Sequence, residues 1–239
     1  MGESDSRPIT TSMTKIEFAE YVASRRKSVR VNPLTDRRID NYDDILLACE
    51  DVYSSGIIFP RFGRLAKRKD LNVSVPLEDL ARRLFNYFKK TVKAPYNEVK
   101  FDEFHEKVCD TFLQLINSCR SIKGYDPLNY GSAQKMINMV FKYLACYKDY
   151  ATYQDCFEHC HMPIDSRILC KLKKDYNIPE IKITFYSKFC GGATFEGKSW
   201  TKFDKTTYGD LLKITRTTIA KDSKYTGKTL LEIEFEIWK

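Results

Sequence analysis

Apolar residues recur at helical spacing through most of the first 175 positions. Residues 14–30 set Ile16, Phe18, Tyr21 and Val22 loosely on one face and end in a basic run. Residues 39–54 carry Ile39, Ile45, Leu46, Ala48 and Val52, with aspartates early in the segment, where a helix dipole favours acid. The stretch SSGIIFPRFGRLAKRKD breaks the pattern with glycine, proline and basic residues and reads as a loop. Over 75–92 a helix opens with Pro76 in its first turn and carries Leu77, Leu80, Leu84 and Phe88 as its apolar stripe. On its polar side Arg82, Asn86, Lys89 and Lys93 follow one another at one-turn steps. Residues 100–120 give a further amphipathic helix, with Phe104, Val108, Phe112, Leu115 and Ile116 directed inward.

The next helix, predicted over 132–148, is apolar almost all round: Met136, Ile137, Met139, Val140, Phe141, Tyr143 and Leu144 leave only Gln134, Lys135, Asn138 and Lys142 polar. Such a helix belongs at the middle of a fold. Gln134, Asn138 and Lys142 repeat every fourth residue, so this stripe is expected to face a cleft, a partner or the helix start. After Pro163 a shorter helix begins, with Asp165 near the positive end of its dipole. Beyond residue 175 the period changes. IKITFYSKF and LLEIEFEIWK alternate apolar and polar, which predicts strands, although the glutamates of the second also suit a terminal helix. GGATFEGKSW reads as turns and 205–221 as a helix. The expected architecture is mainly α with a small β portion near the C-terminus. It divides into a flexible tail (1–13), a helical core (14–175) and a mixed α/β extension packed on that core (176–239).

Composition narrows the function classes. The 239 residues carry a net charge of +8, which favours a polyanionic partner. Neither wholesale disorder nor a membrane span is expected: hydrophobic residues make up 43%, and no apolar run approaches the roughly 18 residues a span needs. The start MGESDSRPITTSM is polar and acidic, unlike a signal peptide, so the expected location is cytoplasmic, on the nucleoid in a prokaryote. Eight cysteines would suit a disulfide framework in a small secreted protein, but this chain is neither small nor visibly secreted. Cys49, Cys109, Cys119 and Cys146 lie in periodic apolar stretches and read as free thiols. The cluster Cys156, His159, Cys160 and His161 holds zinc-type donors, but its spacing differs from a paired C-x-x-C site and adjacent members cannot readily converge on one ion. No metal or other cofactor is expected.

Two short motifs carry chemistry. YGSAQK ends on Lys135 at the head of the buried helix, and HMPIDSRIL presents Asp165 behind a proline. Together they resemble the helix-hairpin-helix DNA glycosylase superfamily, in which a Gly-x-Gly hairpin precedes a catalytic lysine and a Pro-Val-Asp segment brings a catalytic aspartate to the same cleft. Gly131 and Lys135 match the first hairpin glycine and the lysine; Pro163, Ile164 and Asp165 match the Pro-Val-Asp segment, and Arg167 and Ile168 continue it. The likeness spans about 105–175, and its long lysine-to-aspartate separation is closest to the archaeal 8-oxoguanine glycosylase branch. Ala133 stands where the second hairpin glycine falls, DPLNY replaces the apolar-Pro-Gly lead-in, and the four-cysteine iron–sulfur loop of some members is absent.

The resemblance implies a DNA glycosylase, with AP-lyase activity, that flips a nucleotide out of the duplex. Lys135 would attack C1′ and form a Schiff base, while Asp165 stabilises the charge developing on the sugar. Backbone N–H groups of Gly131, Ser132, Ala133 and Gln134 would hold a DNA phosphate. Arg167 and the basic face of Arg82, Lys89 and Lys93 would add contacts to the DNA backbone. Asn138 and Lys142 would face the base pocket, while Trp200 and Trp238 suit either stacking on a base or filling the core. Oxidised purine and modified pyrimidine both remain open as the excised base, as does the oligomeric state. Two other classes fit the pattern: a non-catalytic helix-hairpin-helix DNA-binding protein, and an interaction protein of phage or host defence.

Overall fold

The computed structural model describes residues 14–25, 34–55, 71–176, 184–186, 194–196 and 199–237. The fold is mainly helical. Among the described residues the helices are α1 (Lys15–Arg25), α2 (Tyr42–Ser54), α3 (Ser74–Thr91), α4 (Glu98–Ile122), α5 (Tyr130–Leu144), α6 (Tyr150–Tyr153), α7 (Ser166–Tyr176), α8 (Lys205–Ile219) and α9 (Leu230–Ile237). Backbone pairing joins β1 (Thr184–Tyr186) antiparallel to β2 (Thr194–Glu196), with Phe185 opposite Phe195. The tail 1–13, the basic loop at 56–70 and Trp238 lie outside the described residues.

Local chemistry sets the helix starts. Asn41, Asn97 and Asp204 each accept a hydrogen bond from a first-turn backbone N–H, capping α2, α4 and α8. α1 and α9 open with reciprocal capping boxes. Thr14 and Glu17 exchange hydrogen bonds at the first, and Thr229 and Glu232 at the second. The second box helps make the C-terminal segment a helix, where alternation had predicted a strand. Its three glutamates serve three ends: Glu232 caps, Glu236 pairs with Lys228, and Glu234 turns into the core.

α5 is the central element: all 15 of its residues are buried, and it packs against α2, α4, α8 and the 3-10 turn Trp200–Lys202. An aromatic cluster joins it to α3 and α4. Tyr87 stacks on Phe104 at 4.5 Å, and Phe141 meets Phe88 and Phe101 edge-on at 5.9 and 5.6 Å. Such pairs add about 0.5–1.5 kcal/mol each beyond the area they bury. α8 and α9 contribute Tyr208, Leu211, Leu212, Ile233 and Phe235 to the same core as the helices before them. Ile16, expected on the inner face of α1, is instead 64% exposed, while Phe18 and Val22 point inward. Cys49, Cys109, Cys119, Cys146, Cys156 and Cys160 are free thiols; Cys170, on α7, is disulfide-bonded.

Candidate functional site

α5 begins two residues earlier than periodicity indicates, so Gly131, Ser132 and Ala133 lie within its first turn. That turn is closed off by the Trp200–Phe203 segment. The Gly131 N–H donates to the Phe203 carbonyl at 3.0 Å, and a Cβ at Gly131 would lie 1.8 Å from the Trp200 carbonyl oxygen. Ser132 and Ala133 donate to the Asn129 carbonyl, at 2.9 and 3.4 Å. The N–H groups of residues 131–133 therefore have protein partners, and glycine at 131 permits a close backbone approach.

Lys135 and Asp165 meet. The ammonium Nζ lies 2.7 Å from Oδ2 of Asp165, with side-chain exposures of 4% and 22%. The other carboxylate oxygen, Oδ1, accepts the N–H groups of Arg167 at 2.9 Å and Ile168 at 3.1 Å, which makes Asp165 the N-terminal cap of α7. Burial pushes the Asp165 carboxyl up, but the Lys135 charge and hydrogen bond, with the two backbone donors, outweigh it and hold it below its ordinary value. Asp165 is thus an ionised carboxylate facing the Lys135 Nζ.

Gln134 and Asn138 bind the segment that carries Asp165. Gln134 Nε2 donates to the Ile164 carbonyl at 2.8 Å, and the Ile164 N–H returns to Gln134 Oε1 at 3.3 Å, in the manner of two paired strands. Asn138 Nδ2 shares its two hydrogens among the Met162 carbonyl at 3.2 Å, Gln134 Oε1 at 3.0 Å and the Tyr208 hydroxyl oxygen at 3.1 Å. Lys142, one turn on, pairs with Glu234 of α9, and neither side chain is exposed. Its Nζ also sits 4.2 Å from the Phe18 ring and 4.7 Å from the Phe235 ring. Burial drives the Lys142 ammonium's proton affinity down and Glu234 opposes it; the net direction is down.

A second polar cluster joins α4, α8 and the segment before Asp165. Arg216 grips both oxygens of Asp102 at 2.7 and 2.8 Å, and His161 Nε2 reaches Asp102 Oδ1 at 2.7 Å. His161 Nδ1 lies 2.9 Å from the Tyr208 hydroxyl, while His105 Nε2 lies 2.8 Å from Asn138 Oδ1. Asp102, His105, His161, Tyr208 and Arg216 line a cavity of about 430 Å³. Burial lowers the proton affinity of His161; Asp102 opposes this and the Arg216 charge reinforces it, with a net downward shift. His105 is held well below its ordinary range, first by burial and then by His161. Both rings are therefore neutral near pH 7. Burial pushes the Asp102 carboxyl up, but Arg216 and His161 more than reverse this.

The remaining expected site residues are dispersed. Arg82 and Lys89 stay on the exposed face of α3, with Arg82 paired to Asp79 and the Lys89 ammonium 4.7 Å from the Phe85 ring, whereas Lys93 lies beyond the helix end, exposed in the turn after Thr91. Arg167 is half-buried in the first turn of α7. Trp200 is buried. Cys156 and Cys160 are buried thiols, His159 lies half-buried 3.9 Å from Glu158, and His161 belongs to the Asp102–Tyr208 chain. Among the described residues no three His, Cys, Asp or Glu side chains are grouped to hold a metal ion. Asp102, His105, Tyr208, Arg216 and Glu234 went unmarked in sequence. A signal existed for His105: it falls within the apolar stripe Phe101–Val108–Phe112, where an unpartnered imidazole would be costly. The chain matches no known protein-family profile, no curated protein and no solved structure.

Proposed function

We propose that this protein is a DNA N-glycosylase with AP-lyase activity, with Lys135 as nucleophile and Asp165 as its partner carboxylate. The observation that carries this reading is the 2.7 Å contact between two groups 30 positions apart in sequence, one of them on the central helix. Asp165 stays ionised and is aimed by the α7 N–H groups, so it can stabilise positive charge developing at C1′ as the base leaves. The departing base needs a proton, which the Lys135 Nζ can hand over. Handing it over frees the amine to add to C1′ and open the sugar as a Schiff base. The net charge of +8 suits a polyanionic substrate.

A second reading is favoured by the closed start of α5. With its N–H groups spent on Phe203 and Asn129, and both Asp165 oxygens engaged, Lys135–Asp165 also fits a structural tie between α5 and α7 in a DNA-binding protein without chemistry. Borohydride trapping on duplexes carrying an abasic site or 8-oxoguanine separates the two. The enzyme reading expects a covalent adduct that disappears in Lys135→Gln. Salt-dependent binding with no adduct on the abasic duplex, which needs no base recognition, sinks the lyase and leaves the tie.

A further inference from the structure

The cavity between α4 and α8 opens onto a hydrogen-bonded chain whose far end holds Asp165, and the donor directions from Asp102 to Tyr208 follow one from another. Asp102 is an ionised carboxylate that only accepts, so His161 Nε2 must carry a proton. In the neutral imidazole Nδ1 is then bare and accepts the Tyr208 O–H. The Tyr208 oxygen in turn accepts from Asn138 Nδ2, whose other contacts are the Met162 carbonyl and Gln134 Oε1. Gln134 closes the chain on both backbone groups of Ile164, the residue before Asp165. The segment His161–Asp165 is thereby held by its first side chain, by two intermediate backbone positions and by its last side chain. Pairing of Lys135 with Asp165 depends on all of these staying in register.

We infer that Gln134, Asn138, Tyr208 and His161 are positioning residues for Asp165, and that a proton taken up by His161 on the cavity side loosens the Lys135–Asp165 pair. A second proton on His161 converts Nδ1 from acceptor to donor. The Tyr208 hydroxyl must then turn its O–H out of the chain and its oxygen toward Nδ1, which redistributes the two Asn138 Nδ2 hydrogens shared among Tyr208, Met162 and Gln134. Asn138 is the group that steadies Met162 and Gln134, so the disturbance passes directly to Ile164 and Asp165. The charged and titratable groups facing His161 are Glu98, Asp102 and His105 from α4 and Tyr208 and Arg216 from α8; α5 presents the neutral Asn138. Asp102 and Glu98 favour the added proton, and Arg216 disfavours it. As pH control of that pair's chemistry, this device rests on the glycosylase reading; as a physical coupling it does not.

The test is amide hydrogen exchange without DNA, read at Ile164, Arg167 and Ile168, whose N–H groups report Gln134 and Asp165 directly. In the wild-type protein, protection at these amides relative to Ala81 and Leu84 of α3 should fall as pH drops through a midpoint below about 6.5. Tyr208→Phe should lower protection at the three amides about tenfold, the effect of one hydrogen bond, spare α3, and remove the pH step. Asp102→Asn, at a half-exposed position, keeps the Tyr208 contact but removes the charge that favours protonation, so its midpoint should move to lower pH. Unchanged protection in Tyr208→Phe, an equal loss throughout the protein, or an unmoved midpoint in Asp102→Asn would each overturn the inference. Failure of borohydride trapping leaves these outcomes untouched, so the coupling and the chemistry stand or fall separately.

Discussion

Lys142 and Glu234 face each other across the α5–α9 contact as an ion pair with no solvent exposure on either side. A pair of this kind gains little over an apolar pair of equal volume, but it is severe to break, because the survivor is left as a buried charge. Glu234→Gln or Lys142→Met alone should therefore cost about 3–5 kcal/mol in urea unfolding. The double variant Lys142→Met/Glu234→Leu should recover most of that loss. Equal instability in the double and single variants would mean that packing against Phe18 and Phe235, and not charge, sets the contact.

Gly131 is expected to tolerate no side chain. A Cβ there meets the carbonyl oxygen of Trp200, which belongs to a backbone and cannot swing away. Gly131→Ala should destabilise the protein by about 1–3 kcal/mol or more, the usual range for overpacking, and should expose Trp200. The intrinsic fluorescence of the folded variant reports the second effect. Gly209, with open space around it, is the control: Gly209→Ala should be neutral or stabilising.

The two buried histidines give stability a definite pH slope. Their folded-state proton affinities are lowered, so the unfolded chain binds more protons near pH 6 than the fold does. Stability should accordingly fall as pH drops below about 6.5, the unfolded histidine value. His105→Asn or His161→Asn should flatten the slope measured by urea melts between pH 7.5 and 5.5. Asp165 acts lower on the scale. Its depressed carboxyl stabilises the fold above about pH 4 and ceases to as pH falls through its folded value.

If the basic face of α3 meets DNA, its effect is read in salt. Replacing Arg82, Lys89 and Lys93 together by alanine should lower the slope of log affinity against log salt by about 0.9 for each lost phosphate contact. Folding should be unaffected, because all three are exposed. An unchanged slope would assign α3 to a solvent-facing surface.

Much of the helical order was legible because it rests on local chemistry. Leu77, Leu80, Leu84 and Phe88 mark the buried face of α3, and they are buried. The near-continuous apolar run of α5 marks a central helix, and it is central. Lys135 and Asp165 could be singled out from short motifs, and the fold does bring them into contact. The α9 segment misleads for a physical reason: Leu231, Ile233, Phe235 and Ile237 alternate with glutamates, but Glu234 is itself buried. Alternation signals a strand only when the polar positions face water, and here the core supplies a cation instead.

By itself, then, the sequence determined most of the helices before residue 175 and which of them lies deepest, since periodicity, caps and turn residues act over a few positions. What each polar group on α5 faces was decided only by tertiary structure. Gln134 and Asn138 take backbone carbonyls of the 162–164 segment, Lys142 takes Glu234, and Gly131 takes the Trp200–Phe203 turn. Their partners lie between 24 and 92 positions away in the chain. A buried polar group must be satisfied, but nothing in its local pattern says by what. That choice is made when distant helices meet.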